Sequence, residues 1–487
     1  MSKALHNTII ILALVSLVLF IWTVSSLVSF PYGVNYGEAP LIDQAERLLR
    51  GAPIYKNDLN EPPYVISNYP PIYIGITAGG AKLTGLTLLQ TGRAVSVIAA
   101  LVSGLILGLL AKRLTGKASA GLLAGIFFLG NPHTMVWSGL ARVDILAIMF
   151  SLLGIWLICS GKNKWITIGV GGTCLALAVF TRQTSLLAGP VACLVWLWHH
   201  DRRQALLLIA WLGAAVVVGF TFLNGVSGGG FYTNIILANV NRFEISRILH
   251  GGLQQLQIFP VMIVLGLVKA AQGIMNRIRR GTVASDGHAY LVLSLSFYTA
   301  AAFIASLAVG KVGSDVNYYL EFIAACSLWA GVTFTDHELS SKSKQMLVRL
   351  AIFVQMVFLL VWSILMSQNI QVSTWQQLDL YKVLEERVRK AAQTGPVLSD
   401  DQMYMVLLAG QPIYFQPFEY TQLYAAGLWI PSRLAAEIEE QHFPLILISG
   451  DTIAKNDLWP PELISAIQRS YEISHEYNLM ICTPKDP

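Results

Sequence analysis

The chain has 487 residues, of which 54% are hydrophobic and 13% are charged. Soluble globular proteins contain about 45–50% apolar and about 25% charged residues, so this composition excludes a disordered chain and argues against an ordinary soluble enzyme. Residues 368–487 hold 15 acidic and 8 basic residues, against 13 and 25 in residues 1–367, and no dense Lys/Arg stripe interleaved with aromatic residues indicates nucleic-acid binding.

Eleven apolar runs are long enough, or nearly so, to cross a bilayer as helices, which takes about 17–25 residues. The first run, residues 8–30, carries no charge and is interpreted as an uncleaved signal anchor. The other runs are 94–111, 118–131, 143–160, 165–181, 184–199, 204–224, 254–273, 289–309, 316–335 and 347–367. The sequence therefore predicts a mainly α, polytopic membrane protein with about 11 transmembrane helices.

Residues 70–86 form another apolar stretch, but the distribution of positive charge argues against a further span. If this stretch does not cross, all the large basic clusters share the side of Lys3, which the positive-inside rule makes the cytoplasm. These clusters lie near residues 112–117, 162–164, 202–203, 269–280 and 342–349. We therefore expect residues 70–86 to form a helix at the outer interface, with the N-terminus cytoplasmic.

Two domains follow from this topology. Residues 1–367 form a transmembrane domain, whose first extracytoplasmic loop is 31–92, and residues 368–487 form a small extracytoplasmic α/β domain. In the second domain, short apolar runs predict strands and the stretches between them predict helices. The strands are expected at 396–399, 412–415, 445–449 and 478–482, and the helices at 374–393, 400–409, 432–441 and 461–470.

The five cysteines are interpreted as small buried hydrophobic residues. Four lie in apolar runs, and no CxxC or Cys/His spacing occurs. A structural zinc site or a disulfide framework is therefore not expected.

The first outer loop contains a predicted amphipathic helix at residues 40–50, ended by Gly51. Asp43 and Glu46 on this helix are interpreted as solvated or as paired with nearby arginines. The apolar face consists of Leu41, Ala45, Leu48 and Leu49.

Glu38 lies just before this helix, near the outer end of the first span. A carboxylate at this place could accept a proton from a hydroxyl group. The alternative is a charge that only complements the dipole at the helix N-terminus.

Two polar clusters lie at the outer ends of later spans. Arg142 and Asp144 form the first, in which the guanidinium could hold a phosphate bidentately while the carboxylate orients it or binds substrate hydroxyls. The alternative is a local ion pair at a helix end. Arg182 and Gln183 form the second, in a tight turn between two spans.

A third cluster runs from Lys311 to Asn317 and places another cation at the outer interface. Lys311 could instead extend its charge to the interface without binding anything. Since all these clusters are predicted on one face, we expect them to share a site.

The order of these motifs resembles that of the GT-C membrane glycosyltransferases, which include protein O-mannosyltransferases, aminoarabinose transferases and the Rgt-type sugar transferases. The resemblance covers about residues 5–335. The matching motifs are Gly51-x-x-x-Tyr55, Tyr69-Pro70-Pro71, Gly92-Arg93, the run ending at Gly116, Leu-Ala-Arg142-Val-Asp144, Thr181-Arg182-Gln183-Thr184 and Gly313 to Tyr319.

The resemblance implies transfer of a hexose or pentose from a polyprenyl-phosphate donor to a hydroxyl acceptor, with inversion, on the extracytoplasmic side. It implies that Glu38 is the catalytic base, and that Arg142 or Lys311 stabilises the departing polyprenyl phosphate. The residues it implies for substrate binding are Tyr69, Arg142, Asp144, Arg182, Gln183, Lys311 and Asn317.

Many of these enzymes carry Asp-Glu in the first loop, whereas this chain has Gly37-Glu38. No metal site and no cofactor are therefore expected, although a divalent metal is not excluded. The expected partners are the lipid-linked donor, a glycan, lipid or protein acceptor and membrane lipids, in a bacterial inner or plasma membrane. The alternative function is a transporter or flippase of lipid-linked sugars, which would more often show two repeated halves and charges at the membrane midplane.

Overall fold

The computed structural model describes residues 3–161, 164–280, 287–335, 342–450 and 458–486. The helices before the C-terminal domain are α1 (Lys3–Ser29), α2 (Glu38–Leu49), α3 (Ile72–Thr84), α4 (Leu88–Thr115), α5 (Ala118–Leu129), α6 (Pro132–Ser138), α7 (Asp144–Ser160), α8 (Lys164–Thr181), α9 (Ala188–His200), α10 (Arg202–Val226), α11 (Gly230–Tyr232), α12 (Ile245–Ile258), α13 (Pro260–Arg280), α14 (Gly287–Ser306), α15 (Leu320–Thr335) and α16 (Lys342–Ser373). The remaining elements are α17 (Leu378–Ala391), β1 (Val397–Ser399), α18 (Met403–Leu408), α19 (Pro417–Ala425), α20 (Ser432–Glu439), β2 (Leu445–Ser449), α21 (Pro461–Ser470), β3 (Tyr471–Glu476) and β4 (Leu479–Pro484).

The mainly helical membrane architecture is confirmed, and helical structure occurs in each of the eleven predicted runs. Within the described residues, six helical segments are long and apolar enough to span a membrane, and three shorter apolar helices accompany them. The number of eleven spans therefore stays a prediction. The six are Asn7–Ser29, Leu88–Thr115, Arg202–Val226, Pro260–Arg279, Gly287–Gly310 and Ser343–Ala391.

The predicted run 254–273 is divided, because α12 ends at Ile258 and α13 begins at Pro260. Proline has no backbone N–H and favours the first turn of a helix. The buried side chain of Gln355 in α16 bridges the break: it donates to the carbonyl of Ile258 (3.0 Å) and accepts from the N–H of Val261 (3.0 Å). One amide thus satisfies backbone groups on both sides of the interruption.

Basic side chains gather at one end of the helical bundle. Near the end of α4, Arg113 donates to the hydroxyl of Ser160 at the end of α7. Lys117 donates to the carbonyl of Thr335 at the end of α15 (2.7 Å), and Arg349 donates to Phe334 there (3.2 Å). The start of α4 lies at the opposite end, where the first loop begins. The side of the membrane that each end faces stays a prediction.

The two helices predicted in the first loop are present as α2 and α3. On the predicted apolar face, Leu41 and Ala45 are buried by neighbouring elements, whereas Leu48 and Leu49 are 41% and 46% exposed. Only the first two turns of α2 are covered by neighbouring elements. Whether α3 lies at the membrane interface stays a prediction.

Of the two interpretations of Asp43, the solvated one is wrong, since Asp43 is buried on the covered side of α2. Its carboxylate lies 2.8 Å from the guanidinium of Arg47 and accepts the backbone N–H of Ile413 (3.3 Å). Burial raises the pKa of this carboxyl above its usual range, although Arg47 opposes the shift. Asp43 therefore joins the first loop to the C-terminal domain.

The C-terminal domain contains a four-stranded mixed sheet in the order β1-β2-β4-β3. Strands β1 and β2 are parallel, with Val397 opposite Leu445, and β4 runs antiparallel to both β2 and β3. Three of the predicted strands are confirmed. Residues 412–415 were predicted as a fourth strand, which is wrong, and β3 and α19 were not predicted.

The first loop completes the hydrophobic core of the C-terminal domain. Tyr64 forms an isolated parallel bridge with Phe415. The N–H of Tyr64 donates to the carbonyl of Tyr414 (2.6 Å), and the carbonyl of Tyr64 accepts the N–H of Gln416 (2.9 Å). Leu59, Tyr64 and Ile66 pack in the same apolar cluster as Trp429. The apolar run at 412–415 therefore pairs with the loop and not with the sheet, which explains the wrong strand prediction.

Helix α16, which precedes the C-terminal domain, continues to Ser373, past the predicted domain boundary at residue 367.

The five cysteines are all buried, as expected of small hydrophobic residues, and each is a free thiol.

Candidate functional site

A cavity of about 240 Å³ lies between the helical bundle and the C-terminal domain. The first loop, the segments that follow α6, α8 and α14, and helix α19 form its wall. The predicted residues on that wall are Tyr69, Arg142, Arg182, Gln183, Lys311 and Asn317. The structure thus brings together six of the seven residues for which substrate binding was predicted, although they lie up to 248 positions apart in the sequence.

Asp144 is the seventh, and it lies behind the wall with no exposed surface. Its carboxylate is 2.8 Å from Arg182 but 3.8 Å from Arg142, and it accepts the side-chain amide of Asn317 (2.8 Å). Asp144 therefore forms its closer ion pair with Arg182 and not with its sequence neighbour Arg142. Asp144 is placed to orient Arg182 rather than to touch a substrate hydroxyl.

The two arginines retain unused donors. Among the described residues, Nε of Arg142 and Nη2 of Arg182 are buried and have no hydrogen-bond partner. Buried donors of this kind are costly unless a ligand or water satisfies them. The guanidinium of Arg182 also lies 4.4 Å from the centre of the Tyr318 ring, which fixes its plane. This pair of cations is suited to bind the oxygens of an anion.

Lys311 lies on the same wall but is held loosely, by one hydrogen bond of 3.3 Å to Asn239. Its backbone is better fixed, because residue 311 forms an isolated antiparallel bridge with Phe243. Lys311 therefore adds a partly exposed positive charge at the rim of the cavity.

Gln183 and Tyr69 belong to one connected wall segment. The side chain of Gln183 donates to the carbonyl of Asn68 (2.9 Å), and Arg142 approaches the hydroxyl of Tyr69 at 3.5 Å. Both contacts hold the residues next to Pro70 and Pro71 against the arginines. Their predicted role in binding stays a prediction.

Glu38 does not line the cavity. Its carboxylate forms a fully buried pair with Arg93, with bonds of 2.8 Å and 2.9 Å, and it accepts the backbone N–H groups of Ala141 (2.8 Å) and Val34 (2.9 Å). Burial opposes ionisation, but Arg93 and the two N–H groups outweigh it and hold the pKa of Glu38 below its usual range.

The role of Glu38 as the base stays a prediction, and in this geometry its carboxylate does not reach the cavity. All four hydrogen bonds go to protein donors, the group has no exposed surface, and its lowered pKa makes it a poor proton acceptor. The sequence could not reveal this, because Arg93 lies 55 positions away.

Gly37 stands at the position where many of the resembling enzymes carry an aspartate next to the glutamate. A Cβ atom at position 37 would lie 1.3 Å from Nη1 of Arg142. Since no side chain fits there without moving the guanidinium, Arg142 occupies the space of the missing residue. The glycine therefore gives Arg142 its position in the wall.

Several lining residues were not predicted, including Tyr36, Asn239, Phe418 and Glu419. Glu419 belongs to α19, whose existence the sequence did not reveal. The only available signal was an acidic residue within the aromatic run 414–420. Within the described residues, no group of three or more His, Cys, Asp or Glu side chains is arranged to hold a metal ion.

Comparison with known proteins identifies the fold. Residues 68–224 match the family model described as dolichyl-phosphate-mannose-protein mannosyltransferase. A search of curated proteins found no match.

Among solved structures, ArnT from Cupriavidus metallidurans bound to undecaprenyl phosphate is similar with a TM-score of 0.61 and 14% identity, over 98% of this chain and 98% of that one. The archaeal oligosaccharyltransferase AglB from Archaeoglobus fulgidus, in complex with an inhibitory peptide and a dolichol-phosphate, has a TM-score of 0.58 and 12% identity, over 99% of this chain and 74% of that one. These similarities confirm the expected resemblance to the GT-C membrane glycosyltransferases, and at such low identity they establish the fold.

Proposed function

We propose that this chain is an integral membrane glycosyltransferase that moves a sugar from a polyprenyl-phosphate donor to a hydroxyl acceptor, with inversion at the anomeric carbon. The observation that carries the proposal is that Arg142 and Arg182 both line the cavity, and that each has a buried N–H group without a hydrogen-bond partner among the described residues. Guanidinium is the preferred bidentate partner of phosphate oxygens. Two proteins of the same fold were solved with undecaprenyl phosphate and dolichol-phosphate.

In the reaction, negative charge develops on the phosphate as the sugar leaves it. Arg142 and Arg182 stabilise that charge because their donors are already in place and need little reorganisation. Asp144 keeps Arg182 in position, and Lys311 adds a third positive charge at the rim. This arrangement favours departure of polyprenyl phosphate.

The cavity volume is somewhat below the range of about 300–1,000 Å³ typical of small-molecule pockets. A single hexose or pentose with its phosphate suits this size, while the lipid chain stays outside the cavity. The acceptor hydroxyl belongs to a glycan, a lipid or a protein.

The cavity faces the extracytoplasmic side of a bacterial inner or plasma membrane in this proposal. The support is the charge distribution: the basic side chains gather at the opposite end of the bundle, and such clusters favour the cytoplasm. The N-terminus is then cytoplasmic and the C-terminal domain extracytoplasmic.

The function is tested with purified protein in lipid nanodiscs and a panel of undecaprenyl-phosphate hexoses and pentoses. Glycans, membrane lipids and peptides serve as acceptors, and the measured quantities are labelled acceptor and released undecaprenyl phosphate. We expect transfer from at least one donor, and a loss of about 10–150-fold in Arg142→Gln, because a hydrogen bond to a charged group contributes roughly 1.5–3 kcal/mol.

Arg50→Gln is the matched control, since Arg50 is an exposed arginine of the first loop that does not line the cavity. Proteoliposomes loaded with the same donors distinguish the alternative function: movement of intact lipid-linked sugar without labelled acceptor would identify a transporter or flippase and contradict the proposal.

A further inference from the structure

The proposed reaction needs a group to accept the proton of the acceptor hydroxyl, and Glu38, paired with Arg93, does not line the cavity. Among the described residues, two carboxylates line the cavity, those of Asp315 and Glu419. They differ in burial and in hydrogen bonding, and these differences identify the base.

We propose that Glu419, carried into the cavity by α19 of the C-terminal domain, is the general base of the glycosyl transfer. The proposal rests on the proposed function. Oε2 of Glu419 accepts the hydroxyl of Tyr36 at 2.6 Å, and Oε1 accepts the side-chain amide of Asn68 at 3.4 Å. These two bonds hold the carboxylate against the first loop and leave further lone pairs of both oxygens available.

Glu419 forms no ion pair within the described part of the chain, in contrast to Glu38, Asp43 and Asp144. Burial raises its pKa to about 7, and the hydrogen bond from Tyr36 and the charge of Arg142 oppose the rise. A carboxylate with a pKa near neutrality accepts a proton more readily than one held ionised by an arginine. The titratable and charged groups that line the cavity with it are Tyr36, Tyr69, Arg142, Arg182, Lys311, Asp315 and Tyr318.

Asp315 is the weaker candidate. It is exposed, and its carboxylate accepts the N–H of the adjacent residue Val316 at 2.6 Å, where it begins a short 3₁₀ turn. An exposed carboxylate that caps a turn is solvated by water and is not fixed against the first loop, as that of Glu419 is.

The position of Gly37 supports the assignment. The guanidinium of Arg142 fills the space beside Glu38, so no carboxylate can enter the cavity from position 37 without displacing Arg142. Glu419 lines the same cavity as Arg142, and its carboxylate is joined to the first loop by the hydrogen bond from the Tyr36 hydroxyl. The C-terminal domain therefore supplies the acid that the first loop lacks.

The step balances as follows. The acceptor oxygen forms a bond to the anomeric carbon while its proton passes to the Glu419 carboxylate. The bond between that carbon and the phosphate oxygen breaks, and its electron pair leaves with polyprenyl phosphate, held by the arginines. Glu419 then returns its proton to water through the mouth of the cavity.

The test compares Glu419→Gln with the wild type on whichever donor and acceptor of the panel the wild type uses. Glutamine can still accept the Tyr36 hydroxyl, so the domain contact is kept. We expect kcat to fall about 100–10,000-fold, while Tm and the Kd for undecaprenyl phosphate change little. Glu437→Gln is the matched control, because Glu437 also accepts a tyrosine hydroxyl, from Tyr414 at 2.8 Å, but lies outside the cavity.

The pH profile separates a base from a structural residue. Since the base must be ionised, wild-type kcat should rise with pH through an apparent pKa of about 7, and this limb should disappear in Glu419→Gln. Tyr36→Phe removes a donor to the carboxylate, so it should move the limb to higher pH. Glu419→Asp should keep the limb at a reduced kcat.

Each other outcome has a defined meaning. If no donor of the panel is used by the wild type, the proposed function fails and the base assignment falls with it. If the wild type turns over and Glu419→Gln keeps its kcat, or loses kcat and Tm together with the pH limb unchanged, only the assignment of Glu419 is overturned. If Asp315→Asn alone removes the limb, the base is Asp315.

Discussion

Two arginine clusters at the same end of the molecule differ in how completely their hydrogen bonds are used. Arg93 donates to both oxygens of Glu38 and to the carbonyls of Leu27, Phe30 and Tyr32. Arg142 and Arg182, by contrast, keep buried donors without partners among the described residues. Completeness of hydrogen bonding therefore distinguishes a cluster whose donors are all used within the protein from one that retains donors for the proposed anion.

The saturated cluster joins four segments of chain. Through Arg93, Glu38 and the N–H of Ala141, it connects the end of α1, the start of α2, α4 and the segment before α7. These segments carry Gly37 and Arg142, so the saturated cluster supports the unsaturated one from behind.

The largest expected effect is the loss of stability in Glu38→Gln. The substitution leaves the Arg93 guanidinium buried without its countercharge, which typically costs about 3–5 kcal/mol. We expect a clear fall in Tm of the purified protein, with or without undecaprenyl phosphate. Unchanged Tm combined with a large loss of kcat would return the role of base to Glu38.

An intermediate effect is expected when the unsaturated cluster is altered. Arg142→Gln should weaken binding of undecaprenyl phosphate about 10–150-fold while Tm changes little, because Asp144 keeps its tight partner Arg182. Lys311→Met should weaken it by at most about fivefold, since a partly exposed charge contributes roughly 1 kcal/mol or less. Both constants are measurable by titration in nanodiscs, and a larger effect at Lys311 would move the phosphate to the rim.

The smallest effect is expected for Glu46→Gln. Glu46 pairs with Arg50 on the same helix as Glu38, but Arg50 is 59% exposed. Exposed pairs of this spacing contribute about 0.3–0.5 kcal/mol, so Tm should be nearly unchanged. A fall in Tm like that of Glu38→Gln would show that charge alone, and not hydrogen-bond saturation, sets the difference between the two sites.

The sequence predicted the helical architecture because long apolar runs are a direct signal of their environment. It also predicted six of the residues in the cavity wall, since Arg142, Arg182 and Lys311 are cations at the ends of apolar runs. Order along the chain and a common predicted face were sufficient to group them.

The partners of each charge were not predictable in this way. Asp144 was assigned to Arg142, its neighbour in sequence, whereas its closer cation is Arg182. Glu38 was assigned to catalysis from its place in the first loop and from the resemblance. Its pairing with Arg93 was not predictable, because that pairing depends on how α2 packs against α4. Glu419 was missed because α19 is set by contacts with the first loop, which local periodicity does not report.

The bridge between Tyr64 and Phe415 has a consequence for the order in which the molecule is built. Ribosomes synthesise the first loop long before the C-terminal domain, so Tyr64 cannot pair with Phe415 until another 351 residues have been added to the chain. Contacts of such wide separation form late in folding. The cavity wall is therefore incomplete on a partly synthesised chain, and premature termination leaves a helical bundle whose arginines are not covered by α19.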